Sequence, residues 1–270
     1  MVAAAKVRRA QARTLAARPF TKTVVRMLRE IVCELVEVAI QGMPPLRRRP
    51  IRKVGLMVIS SDRGLCGSYN GSVLRAALER IKQLQADGKE VKLILIGLKA
   101  AAFFRSIKVE KMEGQTYTLL PAIPTVQEAK LIADNAAASF IKGDFDSVEI
   151  IGTDFINMLR SEVVNTKFLP VELPPPADDD GLSPQTLFEP SIPEVLEKEL
   201  LPKYIENVVF QALLDAAASE LAARMNAMSS ATTNAEELIN SLTLHYNRAR
   251  QASITQELLE VVAGAEALKG

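Results

Sequence analysis

From Lys203 to Ala263 the chain carries neither glycine nor proline. At a rise of 1.5 Å per residue, an uninterrupted helix over that span is on the order of 90 Å long. Helices in globular domains average ~11–12 residues, so one of this length needs a partner helix to cover its apolar side. The pattern agrees. Leu221, Met225, Met228, Thr232, Ala235, Ile239, Leu242, Tyr246 and Ala249 follow a strict 4-3-4-3 spacing, the a/d seam of a coiled coil. Beyond residue 250 the stripe slips by one position to Ile254, Leu258, Val261, Ala265 and Leu268, which changes how a seam winds. The seam residues are mostly small or flexible and permit a close helix pair. The other long helical segment runs from residue 2 to about 40. It is rich in Ala, Leu, Arg and Val, is kinked or divided at Pro19, and is ended by "QGMPPLRRRP". An antiparallel pairing of the two chain ends is the economical arrangement.

Between these helices the periodicity changes. "KVGLMVIS" (53–60), "VKLILIG" (91–97) and "SVEIIGTDF" (147–155) are apolar runs of buried-strand length, and "NTKFLPVEL" (165–173) is a candidate fourth strand. Helices fall between them at about 71–87, at 98–106 and at 125–141. The last opens with Thr125 and has Glu128 three residues on, a capping box. Strands alternating with helices predict an α/β layer with a largely parallel sheet. The expected organisation is an N-terminal helix over 1–45, an α/β domain over 51–172, a polar, proline-rich loop over 173–192 and a long C-terminal helix over 193–270.

Composition removes several function classes. The net charge is +1, so nothing in the whole-chain electrostatics speaks for nucleic acid. The "RRR" at 47–49 lies beside prolines and reads as a solvated loop. Cys33 and Cys66 make neither a disulfide framework nor a zinc site. No apolar run reaches the roughly 18 residues of a membrane span. "DDD" at 178–180 reads as solvated acid rather than a cation site.

One stretch invites a catalytic reading: "SSDRGLCGSYNGS" (61–73), which follows the first strand. A phosphate-binding P-loop needs Gly-Lys-Ser/Thr, and there is no lysine. A dinucleotide fingerprint needs G-x-G-x-x-G, but Gly64, Gly67 and Gly71 stand three and four apart. Cys66 as a nucleophile needs a base, and the single histidine, His245, lies in the long helix. What remains is a tight turn whose glycines permit φ > 0, with Cys66 packed as a small hydrophobe and Asp62 and Arg63 as a charged pair at a loop tip. Near the C-terminus, "NRARQASITQELLEVVAGA" (247–265) sets Arg248, Arg250, Gln251, Thr255, Gln256 and Glu257 around an apolar stripe. Two readings stand equal: an amphipathic helix packed on one side, or a helix enclosed by other chains.

These segments together resemble one family. "ITQELLEVVAGAEA" (254–267) fits the signature of the gamma subunit of F-type ATP synthases, and "SDRGLCGSYN" (61–70) is similar to that family's other marked segment. "MVAAAKVRRAQ" (1–11) and "SELAARMNAMSSATTNAEEL" (219–238) resemble its terminal helices, most closely those of cyanobacterial and chloroplast members. The resemblance implies an α/β protein in which an antiparallel coiled coil of N- and C-terminal helices carries an inserted Rossmann-like domain. It implies a rotor, not an enzyme by itself, that binds no cofactor and couples ion flow to ATP chemistry in its neighbours.

Its implied partners are the alpha, beta and epsilon subunits and the c-subunit ring, and its place is peripheral on a coupling membrane, thylakoid or other. The resemblance makes Asp62, Arg63 and Cys66 a contact loop facing acidic tips of beta, and Arg250, Gln251, Thr255 and Glu257 contacts with the surrounding subunits. The seam would be Leu221, Met225, Met228, Ala235, Ile239, Leu242 and Tyr246. Members normally have further residues before the point matching Met1, so a shortened N-terminal helix is expected. The stretch at about 171–192 is short and lacks cysteine, so no dithiol switch is expected. The rival readings are an independent α/β nucleotide-binding enzyme and a coiled-coil scaffold.

Overall fold

A computed structural model describes residues 2–34, 43–47, 49–107, 109–172 and 191–267. The Asp-rich loop, most of the 171–192 stretch where no dithiol switch is expected, Arg48 and Leu268 lie outside these residues. The chain divides into two compact units, Met1–Asn226 and Ala227–Gly270.

The first unit is built on a five-stranded sheet in the order β3-β2-β1-β4-β5. Its strands are β1 (Lys53–Ile59), β2 (Glu90–Ile96), β3 (Glu110–Tyr117), β4 (Ser147–Phe155) and β5 (Ser161–Leu169). The first four run parallel, and β5 returns antiparallel on β4. The chain leaves β1 in one direction for β2 and β3 and comes back to its other side for β4, a doubly wound order. The three expected apolar strands are present, and the candidate fourth, expected over 165–173, begins four residues earlier and ends at Leu169, before Pro170. β3 adds a fifth that its sequence, "EKMEGQTY", conceals. As an edge strand it pairs on one side only, with β2, and does not require the apolar run that marks β1, β2 and β4.

Alternation along the central strands divides the core in two. Leu56, Val58, Leu93 and Leu95 point to one face, under α2 (Tyr69–Ala86) and α3 (Leu98–Phe103). Met57, Ile59, Ile94, Ile96 and Ile150 point to the other. That second face is covered by α4 (Val126–Lys142), by Val24 and Leu28 of α1 (Val2–Glu34), and by the first part of α5 (Leu201–Ala267). The Thr125–Glu128 capping box forms, with the Thr125 amide donating to Glu128 Oε2 at 2.8 Å. Pro19 lies inside α1 and does not divide it. Before α5 the backbone widens into a π turn over Leu196–Leu200, next to Pro202, whose missing N–H breaks the α ladder there.

α1 and α5 run antiparallel in this unit. Thr14 Oγ1 donates to the Leu214 carbonyl at 3.2 Å, and Asn207 Nδ2 donates to Thr21 Oγ1 at 2.8 Å. In both pairs the residue numbers add to 228. The same register sets Val7 beside Leu221 in a small core with Ala10, Phe155, Ala218 and Ala222. It also brings Val2, where α1 begins, opposite Asn226, where the first unit ends. The second unit, from Ala227 onward, is helical to Ala267 and exposed along its described length, apart from residues that are partly buried at its start.

Candidate functional site

At the carboxyl edge of the sheet, where doubly wound folds hold their ligands, the loop from Ser60 to Ser68 joins β1 to α2. Three successive amides open α3, and each already has an acceptor from this loop. Leu98 N–H donates to Asp62 Oδ1 at 2.8 Å, Lys99 N–H to the Ser61 carbonyl at 3.1 Å, and Ala100 N–H to Ser60 Oγ at 2.9 Å. The close approach requires glycine at 97. Its φ is +95°, and a Cβ there would lie 2.3 Å from the Ser60 carbonyl oxygen. A phosphate on this edge would find those donors filled by the chain itself. Those filled donors, beside the missing lysine, count against a nucleotide cradle at this turn.

Asn70 holds the loop shut. Its Oδ1 accepts from the Ser61 amide at 3.0 Å, and its Nδ2 donates to Ser61 Oγ at 2.8 Å and Cys66 Sγ at 3.1 Å. Cys66 is buried and held by Asn70, so in this chain it packs as the turn's small hydrophobe. Asp62 is half-buried and engaged as the acceptor for α3. Of the three loop residues expected at a contact, only Arg63 offers its side chain freely to solvent. Leu65 joins it. This residue is 77% exposed and held left-handed at φ +62°, a conformation costly for any side chain but glycine or asparagine. All three glycines of the turn could take a positive φ. Gly67 has it, whereas the other left-handed residue is Leu65 and not Gly64 or Gly71.

The loop is fastened from behind by α5. Arg224 donates from Nε and Nη2 to the Gly64 carbonyl, both at 3.3 Å, and pairs with Glu220 at 2.6 Å. Burial pushes the Glu220 carboxyl up, opposed by the bond and charge of Arg224. Burial also raises the phenol of neighbouring Tyr69. Beside them a cleft of about 300 Å³ opens, with Lys6, Arg63 and Arg224 against Asp62 and Glu220 on its walls. Of its cations, Arg224 is matched by Glu220. Among the described residues no group of His, Cys, Asp and Glu is placed to hold a metal ion.

The expected seam splits at the boundary between the two units. Leu221 is buried and Met225 partly buried against α1. Met228, Ala235, Ile239, Leu242 and Tyr246 belong to the second unit and are exposed, Ile239 by 61% and Tyr246 by 65%. Arg250, Gln251, Thr255 and Glu257 are exposed as well. What polar contacts they make run along the helix: Thr255 Oγ1 donates to the Gln251 carbonyl at 2.8 Å and Ser253 Oγ to Glu257 Oε1 at 3.3 Å. His245 is likewise exposed.

Sequence reasoning did not find Arg224 and Glu220, although a charged i,i+4 pair in the alanine-rich "ASELAARM" was a usable signal. It also did not find Arg18, whose guanidinium Nη2 lies 2.7 Å from the Phe155 carbonyl and 3.3 Å from Asp215 Oδ1.

A protein-family model described as ATP synthase matches residues 1–268. The ATP synthase gamma chain of Nostoc punctiforme is 42% identical over 294 aligned positions, covering 99% of this chain and 92% of the relative. That of Synechococcus elongatus is also 42% identical, over 295 positions and 100% of this chain. Both alignments are longer than the 270 residues here, so the relatives carry stretches that this chain lacks. Among solved structures, a chain from the central stalk and c ring of the Tetrahymena thermophila mitochondrial ATP synthase superposes with a TM-score of 0.61 at 22% identity, covering 86% of this chain and 96% of the other. A chain of the Euglena gracilis mitochondrial enzyme does so with 0.61 at 17% identity, covering 99% and 93%.

Proposed function

Because the chain belongs to the ATP synthase gamma family, we propose that it is the central-stalk rotor subunit of an F-type ATP synthase. It couples ion-driven rotation of a membrane ring to ATP synthesis or hydrolysis in surrounding alpha and beta subunits and is not an enzyme by itself. The end-to-end family match carries this reading, and the second unit supports it. A helix that leaves Ile239, Leu242, Tyr246, Leu258 and Val261 in water is made to be covered by other chains. Among the described residues no helix is long and apolar enough to cross a membrane, so the rotor would lie against a coupling membrane, thylakoid or another energy-transducing one, through its partners. Those partners are the alpha and beta subunits and the c ring, with epsilon at the base.

In such a shaft each face of the helix stabilises a different nucleotide state of the neighbour it meets, a population shift by differential contact. Arg250, Gln251, Thr255 and Glu257 would be the polar contacts near its end. Arg63, with Leu65 beside it, would meet an acidic surface by charge complementarity. Met228 to Tyr246 would continue the seam.

The test is reconstitution with alpha and beta subunits. The purified chain should hydrolyse no ATP, the complex should, and removal of residues 250–270 should abolish its turnover. A disulfide from the helix to one beta subunit should stop turnover, as it would not in a scaffold. Hydrolysis by the chain alone would overturn the reading.

A further inference from the structure

The face that α1 turns to α5 changes character along its length. Val7 and Ala10 come first, then Thr14, Arg18 and Thr21, then Val24 and Leu28. At one end Val7 and Ala10 pack with Ala218, Leu221 and Ala222. At the other, Val24 and Leu28 lie in the larger core with Leu200, Leu201 and Ile205. Apolar contact is non-directional, so neither end by itself forbids sliding. The polar middle does not tolerate it, because each of its groups has one partner across the pair. Thr14 is fully buried and bonds the Leu214 carbonyl, and Thr21 accepts from the buried Asn207.

Arg18 reaches furthest. Its Nη2 lies 2.7 Å from the Phe155 carbonyl, 3.3 Å from Asp215 Oδ1 and 3.4 Å from Asp154 Oδ1. The second oxygen of Asp215 accepts from Gln211 Nε2 at 2.8 Å. One guanidinium therefore joins three elements: α1, α5 and the carboxyl end of β4, where Phe155 is buried among Val7, Ala10 and Ala218. A shift of one helical turn, 5.4 Å, would strip Asp215 of its cation while leaving it buried, which is strongly unfavourable. A polar group at one core position is the attested way to fix the register of a helix pair.

We propose that Arg18 is a positioning residue that locks the axial register of α1 on α5 and ties the pair to the sheet, so that helices and sheet turn as one body. The consequence for coupling rests on the rotor reading. The register claim does not.

The test uses the full chain in its complex with alpha and beta subunits, with Cys33→Ala and Cys66→Ala. Cysteines are placed at Val7 and Leu221, the observed register, or at Val7 with Ala217 or Met225, one turn away in either direction. With Arg18 present, the 7–221 disulfide should close about tenfold faster than either alternative, and with Arg18→Met this preference should fall to about twofold. Arg18→Lys should restore part of it, having the charge but not the planar fork. Asp215→Asn, close in size, should reproduce the loss from the other side if Arg18→Met does not fold. In membranes carrying the whole enzyme, Arg18→Met should lower ions pumped per ATP hydrolysed while hydrolysis continues. A preference for 7–221 kept by both Arg18→Met and Asp215→Asn overturns the proposal. A collapsed preference with unchanged coupling upholds the register lock and counts against the rotor reading.

Discussion

The helix α5 is two helices in physical terms. From Leu201 to Asn226 its residues Leu201, Val209, Leu214 and Ala218 are buried against the sheet and α1. From Ala227 onward an apolar stripe continues, shifting by one position beyond residue 250, yet Leu242 is 58% and Leu258 61% exposed. The difference lies in burial: the first part packs on the sheet and on α1, whose first described residue, Val2, falls opposite Asn226 in the antiparallel register. A heptad stripe thus reports that a helix needs cover and is silent on which chain supplies it.

The harshest way to break this comparison is to place the same charge on both parts. Val209→Asp sets a carboxylate in the core beneath the sheet and should cost about 4 kcal/mol or more, much of the 5–15 kcal/mol that holds a typical domain together. Leu242→Asp on the chain alone should change stability by no more than about 0.5 kcal/mol, since Leu242 already stands in water. In the assembled complex the ranking should invert for function, with Leu242→Asp abolishing coupled synthesis from a stable chain. Urea denaturation of the chain alone and synthesis by the complex give the two readouts. A large loss of stability from Leu242→Asp in the isolated chain would show that the second part is covered by its own chain.

A gentler comparison sets the buried acids of the sheet against those of the helix pair. Glu149 on β4 accepts from Arg80 Nε and Nη2 at 2.8 and 2.7 Å and from Asn165 at 2.7 Å. Burial pushes its carboxyl up, but these bonds and the Arg80 charge outweigh it and hold Glu149 below the usual range. Arg80→Ala leaves that carboxylate buried and uncompensated and should cost about 3 kcal/mol, read by chemical denaturation.

Asp215 and Glu220 are moved the other way, first by burial, with their bonds to Gln211, Arg18 and Arg224 only partly opposing it. The pH dependence therefore has opposite signs in the two places. Glu149 stabilises the fold above its ordinary pKa, and that share is lost as pH falls through its lowered value. The shares of Asp215 and Glu220 are complete below their ordinary pKa and are lost as pH rises through their raised values. Hydrogen exchange between pH 7 and 4 should show the α5 amides around Leu214 gaining protection relative to those of β4. Asp215→Asn should flatten that trend. A uniform loss across both would refute it.

Much of this was legible in advance, and for identifiable reasons. β1, β2 and β4 are buried on both faces and so appear as apolar runs, and the capping box on α4 is a local rule that local sequence satisfies. β3 escaped because an edge strand can be written in charges. The long helix announced itself by lacking breakers. In the loop after β1 the missing lysine and the missing base argue against a nucleotide and a nucleophile, but nothing local divides the labour among its residues. That Asp62 faces inward to Leu98 and Cys66 is buried depends on α3 and Asn70, whose contacts with the loop are made only on folding. Arg18 and Asp215 escaped for the same reason: each is one charge on a helix until the pairing supplies its partner. The Glu220–Arg224 pair is written locally, but the Gly64 carbonyl that Arg224 holds is not.

The smallest effect on stability should come from Arg63→Glu, and it sharpens the comparison within the loop itself. Arg63 points to solvent and makes its fold contribution through the backbone, where its carbonyl accepts from Ser61 Oγ at 2.6 Å. Reversing its charge leaves that bond, the Asp62 cap and the Arg224 anchor in place, so denaturation should shift by no more than about 0.5 kcal/mol. Asp62→Ala, one residue earlier, should cost about 1 kcal/mol because it strips the acceptor from the first amide of α3. Function should rank the two oppositely. If Arg63 meets an acidic surface, Arg63→Glu sets like charges together across an interface and should weaken coupling, most strongly at low salt, where screening is least. Asp62→Ala should weaken coupling less, in proportion to its disturbance of the loop. Coupled synthesis by Arg63→Glu at the wild-type rate, at low and high salt alike, would remove the contact role from the loop and leave it as a turn shaped by Gly97 and Asn70.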